Sequence, residues 1–147
     1  MWAPLQPVAA PTTVYQDISA QPGQSWCYVA RAVASAEPLV ESAASNEACV
    51  DVKDIVPPSP PAGLTALARA EGVEVTWSPS AEADVHVYRL YRTFRRQREK
   101  LVELKAPETS YLDATAPPGS LVRYTVTAVD QAGNESADAE PAEARRP

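Results

Sequence analysis

The sequence predicts an all-β chain of β-sandwich modules, each of about 100 residues, on three observations. Val122, Tyr124, Val126 and Ala128 alternate with polar neighbours, the period of a strand with one buried face. Fifteen prolines stand against five glycines, one phenylalanine and one methionine, a composition that suits strands with stiff connections rather than packed helices. The chain also matches itself without a gap at an offset of 96 residues, Tyr15 falling on Tyr111. Thr13 to Asp17 lies on Thr109 to Asp113, Pro22-Gly23 on Pro118-Gly119, and Tyr28, Ala32 and Val33 on Tyr124, Ala128 and Val129. That period is too long for a solenoid unit and suits tandem sandwich domains.

In the later copy, several segments resemble bacterial fibronectin type III modules. Pro60-Pro61-Ala62-Gly63-Leu64 is similar to the family's leading segment, Val73 to Trp77 to its strand B, and Tyr88 to Arg92 to its strand C. Tyr111-Leu112-Asp113, Pro118-Gly119, Tyr124 to Asp130 and Gly133 to Ser136 resemble its E to G region. The resemblance implies an immunoglobulin-like β-sandwich of fibronectin type III type, one complete domain preceded by the C-terminal half of another. One departure concerns the tyrosine usually found three residues after the Pro-Gly: Val122 stands there, and Trp26 in the earlier copy. The family's tyrosine corner therefore lacks its usual donor.

Residues 1 to 56 align only with the later part of the complete copy, Leu5 falling on Leu101, so strands A, B and C are expected to be missing. The earlier F strand should turn Trp26, Tyr28, Ala30 and Ala32 to one side and Cys27, Val29 and Arg31 to the other. Tyr15, Trp26 and Tyr28 then form the exposed face of a half-domain. Leaving each unburied forfeits about 1.5 to 3 kcal/mol, against a typical domain stability of about 5 to 15 kcal/mol. Such a segment is not expected to fold alone, and its missing strands would come from upstream sequence, a second copy or a partner.

Cys27 and Cys49 are the only cysteines. The resemblance places Cys27 on strand F and Cys49 on strand G, antiparallel neighbours, which implies a cross-strand disulfide and an oxidising compartment. Two unpaired thiols on a cytosolic protein are the alternative. Two cysteines and one distant histidine do not supply four zinc ligands.

Asp54 to Pro61 reads as a joint, with residues 57 to 61 a proline-rich linker that is semi-rigid because proline fixes φ and biases the preceding residue to extended conformations. Its role is spacing between modules, protection of an edge strand, or both. Residues 62 to 147 read as the complete sandwich: strand A over Leu64 to Arg69, strand B with Val73, Val75 and Trp77 inward, strand C with Tyr88 and Leu90 inward, and C′ over Lys100 to Leu104. E runs from Ser110 to Asp113, F from Val122 to Asp130, and G lies between Ala137 and Ala144, where Pro141 interrupts it.

The net charge of −6 and pI near 4.8 argue against nucleic acid or anionic membrane as partners, and no apolar run reaches the roughly 18 residues of a membrane span. The first residues have no basic region and are broken by prolines, a poor export signal; a signal, if the protein is exported, lies outside this chain. Against the acidic background, Arg89, Arg92, Arg95, Arg96, Arg98, Lys100 and Lys105 place seven of the thirteen basic residues within seventeen positions. With the outward Tyr91 beside them, Arg89, Arg95, Arg96, Arg98 and Lys100 are candidates for contact with an anionic partner such as an acidic polysaccharide. The alternative is a solvated hairpin whose charges guard an edge strand.

Asp17 and Asp113 are expected to accept backbone N–H bonds at the corners, and Asp130 and Asn134 to cap a turn. The loop from Asp130 to Ser136 carries no Arg-Gly-Asp, and Asn134-Glu135-Ser136 matches a short glycosylation pattern. His86, the only histidine, has no nucleophile at motif spacing, and no phosphate loop or metal cluster is evident. The expectation is a non-catalytic module without cofactor or metal that spaces or joins domains of a longer extracellular, periplasmic or surface protein. An accessory module of a secreted polysaccharide-degrading enzyme, and a binding protein completed by self-association or a partner strand, are the alternatives.

Overall fold

The computed structural model describes residues 2–147. The chain forms two compact units, Met1–Asp54 and Ile55–Pro147. The described residues contain eleven strands and no helix, so no helix among them is long and apolar enough to cross a membrane.

The first unit is a long, thinly packed hairpin. β1 (Gln24–Tyr28) pairs antiparallel with β4 (Ala48–Val52), and β2 (Val33–Ala36) with β3 (Leu39–Glu41). Between the two ladders the rails continue irregularly. Ser45 and Ser42 donate their backbone N–H groups to the carbonyls of Ala30 and Ala32, while the N–H groups of Ala30 and Ala32 donate to the hydroxyls of Ser45 and Ser42. The sequence alternation carried the strand unbroken through Ala32 and Val33; the structure ends β1 at Tyr28. The cause is support: β1 has β4 alone beside it, and serine hydroxyls here compete with a regular ladder. Cys27 stands directly opposite Cys49 in register and is joined to it by a disulfide. No described residue of this unit is fully buried.

The second unit is a two-layer sandwich. One sheet has the order β5-β6-β9, formed by Thr65–Ala68, Val73–Thr76 and Ser110–Asp113. The other has the order β11-β10-β7-β8, formed by Ala142–Arg145, Leu121–Asp130, Val85–Phe94 and Gln97–Lys105. All neighbours are antiparallel. Val73, Val75 and Trp77 from one layer meet Tyr88, Leu90, Val122, Tyr124, Val126 and Ala128 from the other, as alternation requires. The rings of Trp77 and Tyr88 pack edge to face, 5.7 Å between centroids.

One local feature differs from the sequence expectation, and two others follow from prolines. β8 spans Gln97–Lys105 rather than Lys100 to Leu104, because the β7–β8 hairpin continues past the sandwich edge to a two-residue turn at Arg95 and Arg96, both at positive φ. Strand G is divided: Ser136 and Ala139 donate N–H groups to the carbonyls of Ala128 and Val126, and regular pairing resumes only after Pro141, in β11. Proline cannot supply a ladder hydrogen bond, so the break falls where it stands. The proline run is built into this unit: Pro58 and Pro61 are buried, and the Ser59 N–H donates to the Glu82 carboxylate.

Candidate functional site

A carboxylate–tyrosine corner occurs in both units, and a charged face lies on the β7–β8 hairpin of the second. The corner begins where β9 ends. The Asp113 carboxylate accepts the backbone N–H and hydroxyl of Thr115 at 3.0 and 2.8 Å and the hydroxyl of Tyr124 at 2.9 Å. Arg92 reaches across from β7 to both carboxylate oxygens, at 3.1 and 2.9 Å. Arg92 stands directly opposite Tyr124 in the β7–β10 register, so one cross-strand pair delivers both donors. Asp113 is only 1% exposed. Burial pushes its carboxyl up, but the donors from Thr115, Tyr124 and Arg92 outweigh it and hold the group below the usual carboxylate range. Burial and then the Asp113 carboxylate push the Tyr124 hydroxyl far up.

The first unit repeats the small parts of this corner. Asp17 accepts the backbone N–H and hydroxyl of Ser19 at 2.9 and 2.6 Å and the hydroxyl of Tyr28 at 2.9 Å. The Ser19 bonds, then that of Tyr28, hold its carboxyl below the ordinary value. The backbone bonds expected at both aspartates are thus present. A tyrosine hydroxyl reaches each corner from two residues beyond Val122 and Trp26, from Tyr124 and Tyr28. Tyr15 is 45% exposed, whereas Trp26 and Tyr28 are half-buried. The indole N–H of Trp26 is covered yet has no hydrogen-bond partner.

The hairpin face brings most of the basic candidates together, each with a carboxylate. Arg89 donates to Glu103 at 2.9 Å and to Glu135 at 2.6 Å. Glu135 also accepts the hydroxyls of Tyr91 at 2.7 Å and Thr127 at 2.6 Å. Burial raises the Glu135 carboxyl, but the bonds from Thr127, Tyr91 and Arg89 outweigh it and lower it overall. Arg98 grips Asp138 through both terminal nitrogens, at 2.6 and 2.8 Å, and lies over the Tyr91 ring, 4.1 Å from its centroid. Lys100 is 3.5 Å from Glu103. Arg95 and Arg96 stand apart at the turn: Arg95 lies over the Phe94 ring at 5.0 Å, and Arg96 is exposed without an ion pair among the described residues. His86 is exposed on β7.

Chemically, the face is a closed set of counter-ions. Glu103 and Glu135 are held below the ordinary carboxylate range and act as acceptors rather than proton donors, and the Tyr91 face that a flat ligand would use is already covered by Arg98. At the loop, Asp130 accepts the side-chain amide and backbone N–H of Asn134, each at 2.8 Å, so Asn134 is part of the turn. Sequence reasoning missed Glu135 as the acceptor that ties the face together, and missed Arg92 as the partner of Asp113. The signal for the corner was present: the Asp to Tyr interval is the same in both copies, 11 residues.

No protein-family model matches the chain. It is similar to the exo β-1,2-glucooligosaccharide sophorohydrolase of Parabacteroides distasonis, with 35% identity over 69 residues, 46% of this chain. The chain thus spans only 10% of the length of that relative. Among solved structures, it is similar to a β-1,2-glucanase from Parabacteroides distasonis, with a TM-score of 0.54 and 26% identity over 74% of this chain and 17% of the other. An Fn3-like protein from Clostridium thermocellum matches at a TM-score of 0.51 and 23% identity, over 63% of this chain and 96% of that one. The FN1–FN3 domains of chicken CNTN1 match at a TM-score of 0.61 and 17% identity, over 90% and 46%. With the β5-β6-β9 and β11-β10-β7-β8 sheets, these likenesses define the class: an all-β sandwich with a fibronectin type III-like fold.

Proposed function

We propose that this chain is a non-catalytic accessory segment of a longer exported protein that acts on a polysaccharide. Residues 62–147 are then a complete fibronectin type III-like module, residues 1–56 the later half of another, and residues 57–61 the joint. The observation that carries the reading is the likeness of nearly half the chain to a tenth of a glucooligosaccharide hydrolase. A face whose carboxylates are all engaged by cations and hydroxyls supports a structural role for the sandwich. The cross-strand disulfide supports an extracellular, periplasmic or surface location, and the attached catalytic part would take β-linked glucans as its substrate class.

The test is the mass of the native product in source-cell extracts, detected by an antibody against residues 62–147. A band far above 15.8 kDa is expected; a band at 15.8 kDa overturns the reading. Of the basic candidates, the exposed turn pair Arg95 and Arg96 is the part best placed for an anionic partner, because Arg89, Arg98 and Lys100 already face carboxylates. Replacing both with Ala should weaken retention on an acidic polysaccharide column at low salt, and unchanged retention removes that contact from the proposal.

A further inference from the structure

The two cysteine sulfurs of the first unit lie beside a carboxylate. Cys27 stands directly opposite Cys49 in the β1–β4 register, and such a cross-strand pair brings its Cβ atoms to about 4.5 to 5.5 Å. Glu47 precedes Cys49 by two residues, the strand period that turns both side chains to one face. The Glu47 Oε1 lies 3.2 Å from the Cys49 Sγ, and the two sulfurs and a Glu47 oxygen all fall within 4.8 Å of one another. A sulfur in a disulfide has no proton to donate, and Glu47 has no cation beside it among the described residues, so the closed bond leaves this carboxylate unrewarded. None of the three residues is buried. By alternation Cys27 points away from the side to which Trp26 and Tyr28 turn, so the sulfurs lie opposite the face on which a second sheet would pack.

We propose that in the dithiol form that precedes the disulfide, Cys27, Cys49 and Glu47 bind one divalent cation of the zinc class. Thiolates and a carboxylate are zinc donors, and three protein ligands leave the fourth tetrahedral position to water. A count of cysteine and histidine alone omits Glu47. Two sulfurs on a tetrahedral zinc stand about 3.8 Å apart, a separation that side-chain rotation reaches from a directly opposed pair. On binding, each thiol loses one proton to solvent, two metal–sulfur bonds form, and no electrons are transferred. The metal closes the same loop as the disulfide, between cysteines 22 residues apart, so β1 and β4 are held in register before that bond exists. A chain that acquires a disulfide in an oxidising compartment is first a dithiol, so the site and that location agree. The inference goes beyond the accessory-module reading and stands without it, since it concerns only these three side chains.

The probe is cobalt(II), an optical stand-in for zinc, added to the full chain after reduction with a phosphine and exclusion of oxygen. A thiolate-to-cobalt charge-transfer band that saturates at one metal per chain is expected; zinc should bleach it, and the oxidised chain should give no band. Glu47→Gln keeps both thiols and should weaken binding at least about tenfold, since even the outer partners of metal ligands are worth that much. Zinc should also slow amide exchange in β1 and β4 of the reduced chain toward the rates of the oxidised one, a readout that loose thiols in an open hairpin would not move. Absence of the band overturns the proposal, as does saturation at one metal per two chains. So does equal affinity of the glutamine variant, or exchange in β1 and β4 that zinc leaves unchanged.

Discussion

The corners at Asp113 and Asp17 use the same local chemistry in unlike surroundings. Each aspartate is bonded by the hydroxyl and N–H of the residue two positions on and by a tyrosine from the following strand. Yet Asp113 is sealed, while Asp17 lies in a unit with no fully buried described residue. Local sequence is enough to assemble the small network; it does not bury it. Burial follows from the β5-β6-β9 sheet on one side and β7 on the other, which together exclude water and bring in Arg92. The first unit has neither, and is held by a hairpin ladder and a disulfide.

The largest effect should come from breaking the buried corner. Asp113→Ala removes the buried acceptor shared by Tyr124, Thr115 and Arg92 and leaves Arg92 only its exposed carboxylate partner Glu99; it should cost about 3 kcal/mol, read as a lower urea midpoint for the signals of residues 55–147. Asp17→Ala should leave that midpoint unchanged; an equal loss from both would abolish the contrast. The folded Asp113 carboxyl is held below its unfolded value of about 3.9. Its contribution is therefore complete above that value and fades as pH falls through the lower folded one. Tyr124 is shifted up, so its contribution is complete below about pH 10 and fades as pH rises toward the folded value. Asp113→Asn should flatten the acid limb of an unfolding-midpoint profile.

Next in size is the disulfide. Opening the Cys27–Cys49 bond, whose cysteines are 22 residues apart, should cost the first unit about 3 kcal/mol in the loop-entropy account. The effect should appear as faster exchange of β1 and β4 amides with no change in the second unit. A smaller loss, of about 1 to 3 kcal/mol, is expected for Gly72→Ala. A methyl group there would press against the Asp113 carbonyl, its carbon only 2.8 Å away. Thermal unfolding of the second unit reads it. The smallest effect belongs to the surface pair: Arg98→Ala removes a bridge to Asp138 between side chains 44% and 40% exposed. It should cost at most about 1 kcal/mol, while freeing the Tyr91 ring to show a higher accessibility to a soluble quencher.

Much of the sandwich was legible because its period was strong. Val73, Val75, Tyr88, Leu90, Val122, Tyr124 and Val126 alternate with polar residues, and every one of them is buried. The end of β1 was not legible: Ala30, Ala32 and Val33 continue the alternation, but alternation reports which way side chains point and not whether a neighbouring strand exists to hold the backbone. The basic stretch was read as a positive patch because the hairpin cations are adjacent in sequence. Their acidic partners Asp113, Glu135 and Asp138 are distant along the chain and arrive only through β9, β10 and the segment after it. Glu135 in particular sits in a three-residue pattern that reads as a glycosylation site, which hid its role as an acceptor for Arg89, Tyr91 and Thr127.

By itself the sequence determined the all-β class, the inward faces of the second unit and the backbone bonds at Asp17 and Asp113. These follow from short-range rules of strand period, turn chemistry and internal repetition. Tertiary structure alone decided which corner is buried and which cations are neutralised. Each of those depends on what a distant strand places alongside, and the energy of a charge or an unpaired backbone group is set by that neighbour and by the water it excludes.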